Sequence, residues 1–381
     1  MTKKLTIIFA ILIFLVSGLA SYWFFSSTTA TSPQEYEEIV SEDGVTVLDG
    51  GPKTEACPLN GQLYSKAQRK RWEKRRPIGI AIENHSDARP QSGLAAADVI
   101  YEAVAEGGIT RFLAMYYCED SPTIGPVRSA RIYFLKLLQG YGDYPLYAHV
   151  GGANTPGPAD ALGEIRDLGW DQYNDLNQFS VPFPIYYRDY ERLQGRATEH
   201  TMYSSSQKLW EFAAKKRKLT NKDEDGKSWD KNFEPWKFKK DAATEDRGST
   251  AKITFDFWPQ FGKTYEVNWL YDKNSNAYKR QNGGKDHIDK NTSKALVAKN
   301  VVVVLADERP ANDGYPGGHL LYDIVGSGKG VLFQDGEAKQ ITWRKSSEEN
   351  AMKFYIQGQE AELVAGKTFI EILPTGNEVE Y

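Results

Sequence analysis

The sequence predicts an α+β or α/β protein in three parts: one N-terminal transmembrane helix, an N-terminal α/β domain of sheet and helices, and a β-rich antiparallel C-terminal domain. Three observations predict this. Residues 5–25, LTIIFAILIFLVSGLASYWFF, hold no charge. Between Pro77 and Arg217, short apolar runs alternate with segments of helical period. From Ala251 onward, apolar and polar residues alternate between turn signals.

The charge-free run comes first. Lys3 and Lys4 precede it, and a helix of that length crosses roughly 30 Å of hydrocarbon. Tyr22, Trp23, Phe24 and Phe25 at its end suit an interfacial belt better than a cleavage site. Residues 1–25 therefore read as an uncleaved anchor, with the short tail in the cytoplasm and everything after it outside. No cysteine lies near residues 17–25, which excludes an anchor through a lipid-modified cysteine. Cys57 and Cys118 are the two cysteines of the chain. In an oxidising compartment they read as one disulfide.

Residues 26–56 are rich in Ser, Thr, Glu and Gly and read as an extracytoplasmic stalk. KAQRKRWEKRRP, 66–77, is a basic prelude best taken as a solvated helical turn. The N-terminal α/β domain spans 57–217. Its strands are expected at 78–84, 97–106, 111–118, 145–152 and 184–189. Its helices are expected at 129–139 with Ser129 as cap, at 157–169, and at 204–218 behind a serine run. Residues 218–250 are charged and poor in aliphatics, an exposed linker. The C-terminal domain, 251–376, should form a curved antiparallel sheet or barrel, with Asp335-Gly336 as one of its turns.

Several of these segments together resemble one family. RPIGIAIENHSDARPQSGLAAADVIYEAVAEGGITRF, GPVRSARIYF, YAHVGG and YYRDYERL resemble the N-terminal part of the YerB-like bacterial envelope proteins. KNVVVVLAD, GKGVLFQDG, ITWRK and LVAGKTFIEILP resemble their C-terminal part. The resemblance runs from about residue 50 to 375. It implies a membrane-associated bacterial protein with two adjoining domains of unknown function, and it implies no reaction. Two departures stand out. The lipid-bearing cysteine of lipid-anchored members is absent. Thr201 follows His200 where the family pattern leads one to expect Asn.

The residues that could carry chemistry are mostly cationic. Arg111, Arg128 and Arg131 lie in GITRFLAMYYCEDSPTIGPVRSARIYF, among apolar neighbours. Arg128 and Arg131 are i,i+3 and would project from the first turn of a helix, where free N–H groups also suit an anion. Arg89 and Arg188 are further candidates. Guanidinium groups grip phosphate or carboxylate in bidentate fashion. The competing reading is internal pairing with Glu83, Asp98, Glu102 and Glu106. Glu83, His85, His149 and His200 are the candidate acid or base groups. The histidines lack H-E-x-x-H spacing and cysteine partners, so no metal and no cofactor is assigned.

Other motifs fail on their own terms. GKT at 262–264 and 366–368 lacks the first glycine of a phosphate loop. SSQK lacks an accompanying Lys-Thr-Gly. DKNSNA has Ala277 where a calcium loop needs glycine. A net charge of −4 gives no case for nucleic acid. The expected function is a ligand-binding or scaffolding module of the cell envelope with an arginine-lined anion site. The expected partners are the membrane, through the anchor, and an anionic envelope component; protein partners are left open. The alternatives are an enzyme modifying envelope polymers by phosphoryl or glycan transfer or hydrolysis, and a structural interaction protein whose arginines are internally paired.

Overall fold

In a computed structural model the described residues are 51–381, preceded by the backbone of two short strands, Glu38–Val40 and Thr46–Leu48, which pair antiparallel. The anchor at 1–25 and most of the 26–56 stalk lie outside the described residues. Among the described residues no helix is long and apolar enough to cross a membrane. The last part of the stalk reading is folded: Lys53–Ala56 pairs with Leu63–Ser65.

The core is one sheet of eleven strands. In chain order these are β1 (Ile78–Glu83), β2 (Val99–Glu106), β3 (Ile109–Tyr116), β4 (Leu146–His149), β5 (Asp175–Asn177), β6 (Asn300–Ala306), β7 (Gly326–Gln334), β8 (Glu337–Lys345), β9 (Lys353–Ile356), β10 (Gln359–Glu360) and β11 (Thr368–Pro374). Across the sheet they run β10-β9-β8-β7-β6-β11-β2-β3-β1-β4-β5. The last strand, β11, therefore sits between the two halves of the chain, parallel to β6 on one side and to β2 on the other. Because β3 is antiparallel to both β2 and β1, and β1 is parallel to β4 and β4 to β5, the strands β6, β11, β2, β1, β4 and β5 all end at the same edge, as do β8 and β10 of the meander.

This corrects the expectation of a wholly antiparallel C-terminal sheet. The reason is legible in composition. NVVVVLA and TFIEILP are buried on both faces, as parallel interior strands are. The meander β7 to β10 and a separate five-stranded sheet are antiparallel throughout. The smaller sheet joins Lys252–Phe255, Val267–Asp272, Ala277–Asn282, Lys285–Asp286 and Val297–Ala298. It presses Trp269 edge-on against Phe369 of β11, with ring centroids 4.8 Å apart. Asp335 and Gly336 turn β7 into β8 with φ of 53° and 71°, the left-handed pair that a tight hairpin needs.

Among the described residues four short α-helices flank the sheet: α1 (Lys66–Trp72), α2 (Ile132–Leu138), α3 (Ala161–Asp167) and α4 (Ser206–Lys216). Ser65 and Gln68 form a capping box on α1, and Ser205 caps α4. Ser129 does not cap α2. That helix begins at Ile132, with Arg131 as its N-cap and no side-chain cap bond. Residues 127–130 are instead tied to the sheet edge. The Arg128 amide donates to Ala81 O at 2.8 Å, and the Ala130 amide donates to Gly151 O at 2.9 Å. Buried Val127 and Ala130 hold this segment against β1 and the loop after β4. Arg128 and Arg131 are thus not neighbours on a helical turn.

The charged stretch 218–250 keeps its lysines and acids at the surface but is anchored by apolar residues. Leu219 and Trp229 are buried, Trp236 donates to Met352 O at 2.7 Å, and Lys237–Lys239 pairs with Glu362–Val364. Cys57 and Cys118 are disulfide-bonded, with Cα atoms 6.1 Å apart.

Candidate functional site

Parallel strands present their carboxyl ends at one edge, where α/β sheets commonly build ligand sites. Glu83 ends β1 and Glu106 ends β2. Arg111, near the start of antiparallel β3, is in register with Glu83. The extended segment before α2 brings Arg128 and Arg131 across the same edge, and the turn Thr198–His200 adds His200.

The carboxylates divide the arginines between them. Glu106 receives two: Arg131 through its Nη2, and Arg111 through Nη2 at 3.4 Å. Both arginines also donate to carbonyls, Arg111 to Ser129 O at 3.0 Å and Arg131 to Ala130 O at 2.6 Å. Both are buried, and the Nε of each makes no hydrogen bond among the described residues. Glu83 takes the third, with Arg128 Nε at 3.2 Å, and its other oxygen lies 2.8 Å from His200 Nδ1. Arg128 is the reachable one, its side chain 28% exposed. Burial pulls all three guanidinium groups below their usual range, while Glu83 opposes this for Arg111 and Arg128. The edge therefore gathers Arg111, Arg128 and Arg131 against the two carboxylates Glu83 and Glu106.

The remaining candidates have other duties. Arg89 turns back to Asn84, donating from Nε to Oδ1 at 3.0 Å, reaches Thr264 O at 3.2 Å, and lies over the Tyr265 ring. It links the two halves of the chain, and burial lowers it to about 10. Arg188 donates to Thr198 O and to Thr201 Oγ1 at 3.3 Å, so Thr201 supplies an acceptor beside His200. His149 is fully buried; its ring nitrogens face Gly151 O at 2.7 Å and Asp175 Oδ1 at 2.5 Å, tying β4 to β5. His85 stacks on His200 with ring centroids 5.0 Å apart. Neither His149 nor His200 is hydrogen-bonded to a hydroxyl or thiol among the described residues.

Of the acids weighed as internal partners, Glu83 and Glu106 meet the three arginines. Asp98 accepts from the Tyr117 and Cys118 amides at 2.7 and 3.0 Å, beside the disulfide. Glu102 goes to Arg280, a residue with no motif around it. Sequence reasoning also missed Tyr315, half-exposed and close enough to act electrostatically on all three arginines. Its ring stacks on His319, which Asp313 holds at 2.6 Å. The loop that carries them follows β6, so strand order alone brings it to this edge. A groove of about 720 Å³ lies elsewhere, lined in part by Arg71, Asp120, Tyr187 and Lys208.

Comparison with known proteins agrees with this architecture. Residues 64–220 match the model for the N-terminal domain of a protein family of unknown function, DUF3048, and residues 257–370 match its C-terminal domain. A Bacillus subtilis (strain 168) protein named "Putative lipoprotein YerB" is 30% identical over 335 residues, which cover 86% of this chain and 89% of that protein. The crystal structure of YerB from Bacillus subtilis superposes with a TM-score of 0.69 at 27% identity, covering 86% of this chain and all of that one. With both domains matched in order along one chain, the protein belongs to the DUF3048 family of YerB-like bacterial proteins, whose function is unknown.

Proposed function

We propose that the protein is a single-pass, membrane-anchored component of the bacterial cell envelope, its folded part outside the membrane, and that it binds an anionic group at the carboxyl edge of its sheet. The location rests on the charge-free run 5–25, on the disulfide, and on a relative named as a lipoprotein. Mass spectrometry of the mature protein should find Met1 or Thr2 at its N-terminus. A start at Ser21 would instead mean that the apolar run is a cleaved signal.

The observation that carries the anion reading is the gathering of three guanidinium groups around two carboxylates, with Arg128 facing solvent. A charge-assisted hydrogen bond contributes about 1.5–3 kcal/mol. Arg128→Ala should therefore weaken binding of inorganic phosphate or pyrophosphate by about ten- to a hundredfold. Thermal melts with and without each anion read this directly. No anion-dependent rise in the wild-type melting temperature would overturn the anion site.

One observation favours the structural reading instead: Glu106 already sits between Arg111 and Arg131. On that reading Arg131→Ala costs about 3–5 kcal/mol, and neither anion changes the melting temperature of wild type or variant.

A further inference from the structure

We infer a binding site for a divalent first-row transition cation at His85, Asp87 and His200, separate from the arginine contacts. One donor atom from each residue lies within 4.8 Å of the other two. The three come from two loops at the carboxyl edge: His85 and Asp87 from the turn after β1, and His200 from the turn Thr198–His200. The imidazole rings stand nearly parallel, 14° apart.

The second observation is the support behind His200. Its Nδ1 faces Glu83 Oε2 at 2.8 Å, so the proton belongs on Nδ1 and the Nε2 lone pair is left for a metal. Glu83 is itself held by Arg128 at 3.2 Å. A carboxylate that fixes the tautomer and the ring angle of a ligating histidine is the usual outer support of such sites. His200 is buried, so the ring has little freedom to leave this pose.

The other two ligands are adjustable. His85 is half-buried, and its Nδ1 accepts from the Asp87 amide at 3.1 Å. Ligation through Nε2 moves the proton to Nδ1 and gives up that one bond; ligation through Nδ1 replaces it. Asp87 is exposed, and its charge partner, Arg196 at 3.6 Å, is exposed too. Metal–ligand distances of about 2.0–2.2 Å place tetrahedral donors roughly 3.3 Å apart. His85 and Asp87 must therefore close by up to about 1.5 Å around the fixed His200. Two imidazoles and one carboxylate suit zinc, cobalt or ferrous iron, and three protein ligands leave a position open to water or an exogenous ligand. The cysteines offer no competing thiolate, because both are in the disulfide.

The test uses the untagged full chain in detergent micelles, stripped of metal with a chelator. Cobalt(II) is titrated and followed by visible absorption, and zinc(II) is titrated by calorimetry. One equivalent of each should bind, with zinc displacing the cobalt signal. His85→Ala and Asp87→Asn should each weaken binding at least tenfold, while the metal-free melting temperature stays at its wild-type value. Glu83 is not altered, so a failed anion experiment leaves this one intact. Absence of stoichiometric cobalt absorption, or binding that survives both substitutions, would overturn the site.

Discussion

Arg280→Ala should destabilise the protein by about 3–5 kcal/mol, one of the largest single effects expected anywhere in the chain. Arg280 stands in the smaller sheet and is fully buried. Its Nη2 meets Glu102 of β2, and its Nε lies 3.6 Å from Glu371 of β11. Its Nη1 faces His287 Nδ1 at 2.6 Å. The guanidinium is walled by the rings of Phe112, Trp269 and Phe369, each within 6 Å. Removing it leaves Glu102 buried without its cation, with Asn84 and Thr110 as remaining donors at 3.0 and 2.5 Å. An uncompensated buried charge is what makes the loss so large.

Glu371 provides the control. Burial, and then the nearby Glu102 carboxylate, push its proton affinity well above the ordinary value of 4.5. Native Glu371 thus holds a proton that the unfolded chain releases as pH rises past about 4.5, so wild-type stability should fall with rising pH just above that value. Glu371→Gln keeps an acceptor for the Trp269 indole N–H, now 3.1 Å away, and cannot titrate. It should cost far less than Arg280→Ala and should flatten that part of the pH profile. Equal losses for the two variants in chemical denaturation would mean that Glu371 is charged and that this assignment of protons is wrong.

This network also shows where sequence reasoning stops. Periodicity found β1, β2 and β3, the helix behind Ser205 and the Asp335-Gly336 turn, because each is specified by residues within a few positions of one another. The placement of β11 was hidden: nothing local in TFIEILP says that its neighbours are Val99–Glu102 and Asn300–Ala306 rather than the adjacent hairpin. The failure at α2 has the same origin. SARIYFLKLL has a helical period, but buried Val127 and Ala130 find better partners in β1 and the Gly151 loop, so the arginines arrive on extended backbone. Arg128 and Arg131 were visible as costly to bury. That Arg131 and Arg111 share Glu106, while Arg128 goes to Glu83, depends on the crossing of three separate segments. Arg280 gave no signal at all, since AYKRQN alternates like any half-exposed strand.

The disulfide should account for a loss of similar size by a different route. Cys57 follows the strand Lys53–Ala56, and Cys118 lies two residues beyond β3, 61 positions later. Cross-linking a loop of that length restricts the unfolded chain by about 4 kcal/mol in the chain-entropy picture, and loss of a native bridge commonly costs about 2–5 kcal/mol. In the folded state the same junction is held a second way. Asp98 accepts from the Tyr117 and Cys118 amides, and Asn60 donates to it at 2.6 Å. The double variant Cys57→Ala/Cys118→Ala should therefore keep its fold and lose stability chiefly through a freer unfolded state. Denaturant titration should then show a lower midpoint together with a steeper slope, because the uncrosslinked chain exposes more surface on unfolding. A midpoint unchanged from wild type would mean that the Asp98 cluster alone holds the junction. A lowered midpoint with an unchanged slope would mean that the bridge acts on the folded state instead. The bridge fixes the entry to the fold against the central sheet, at the opposite end of β1 and β2 from Glu83 and Glu106.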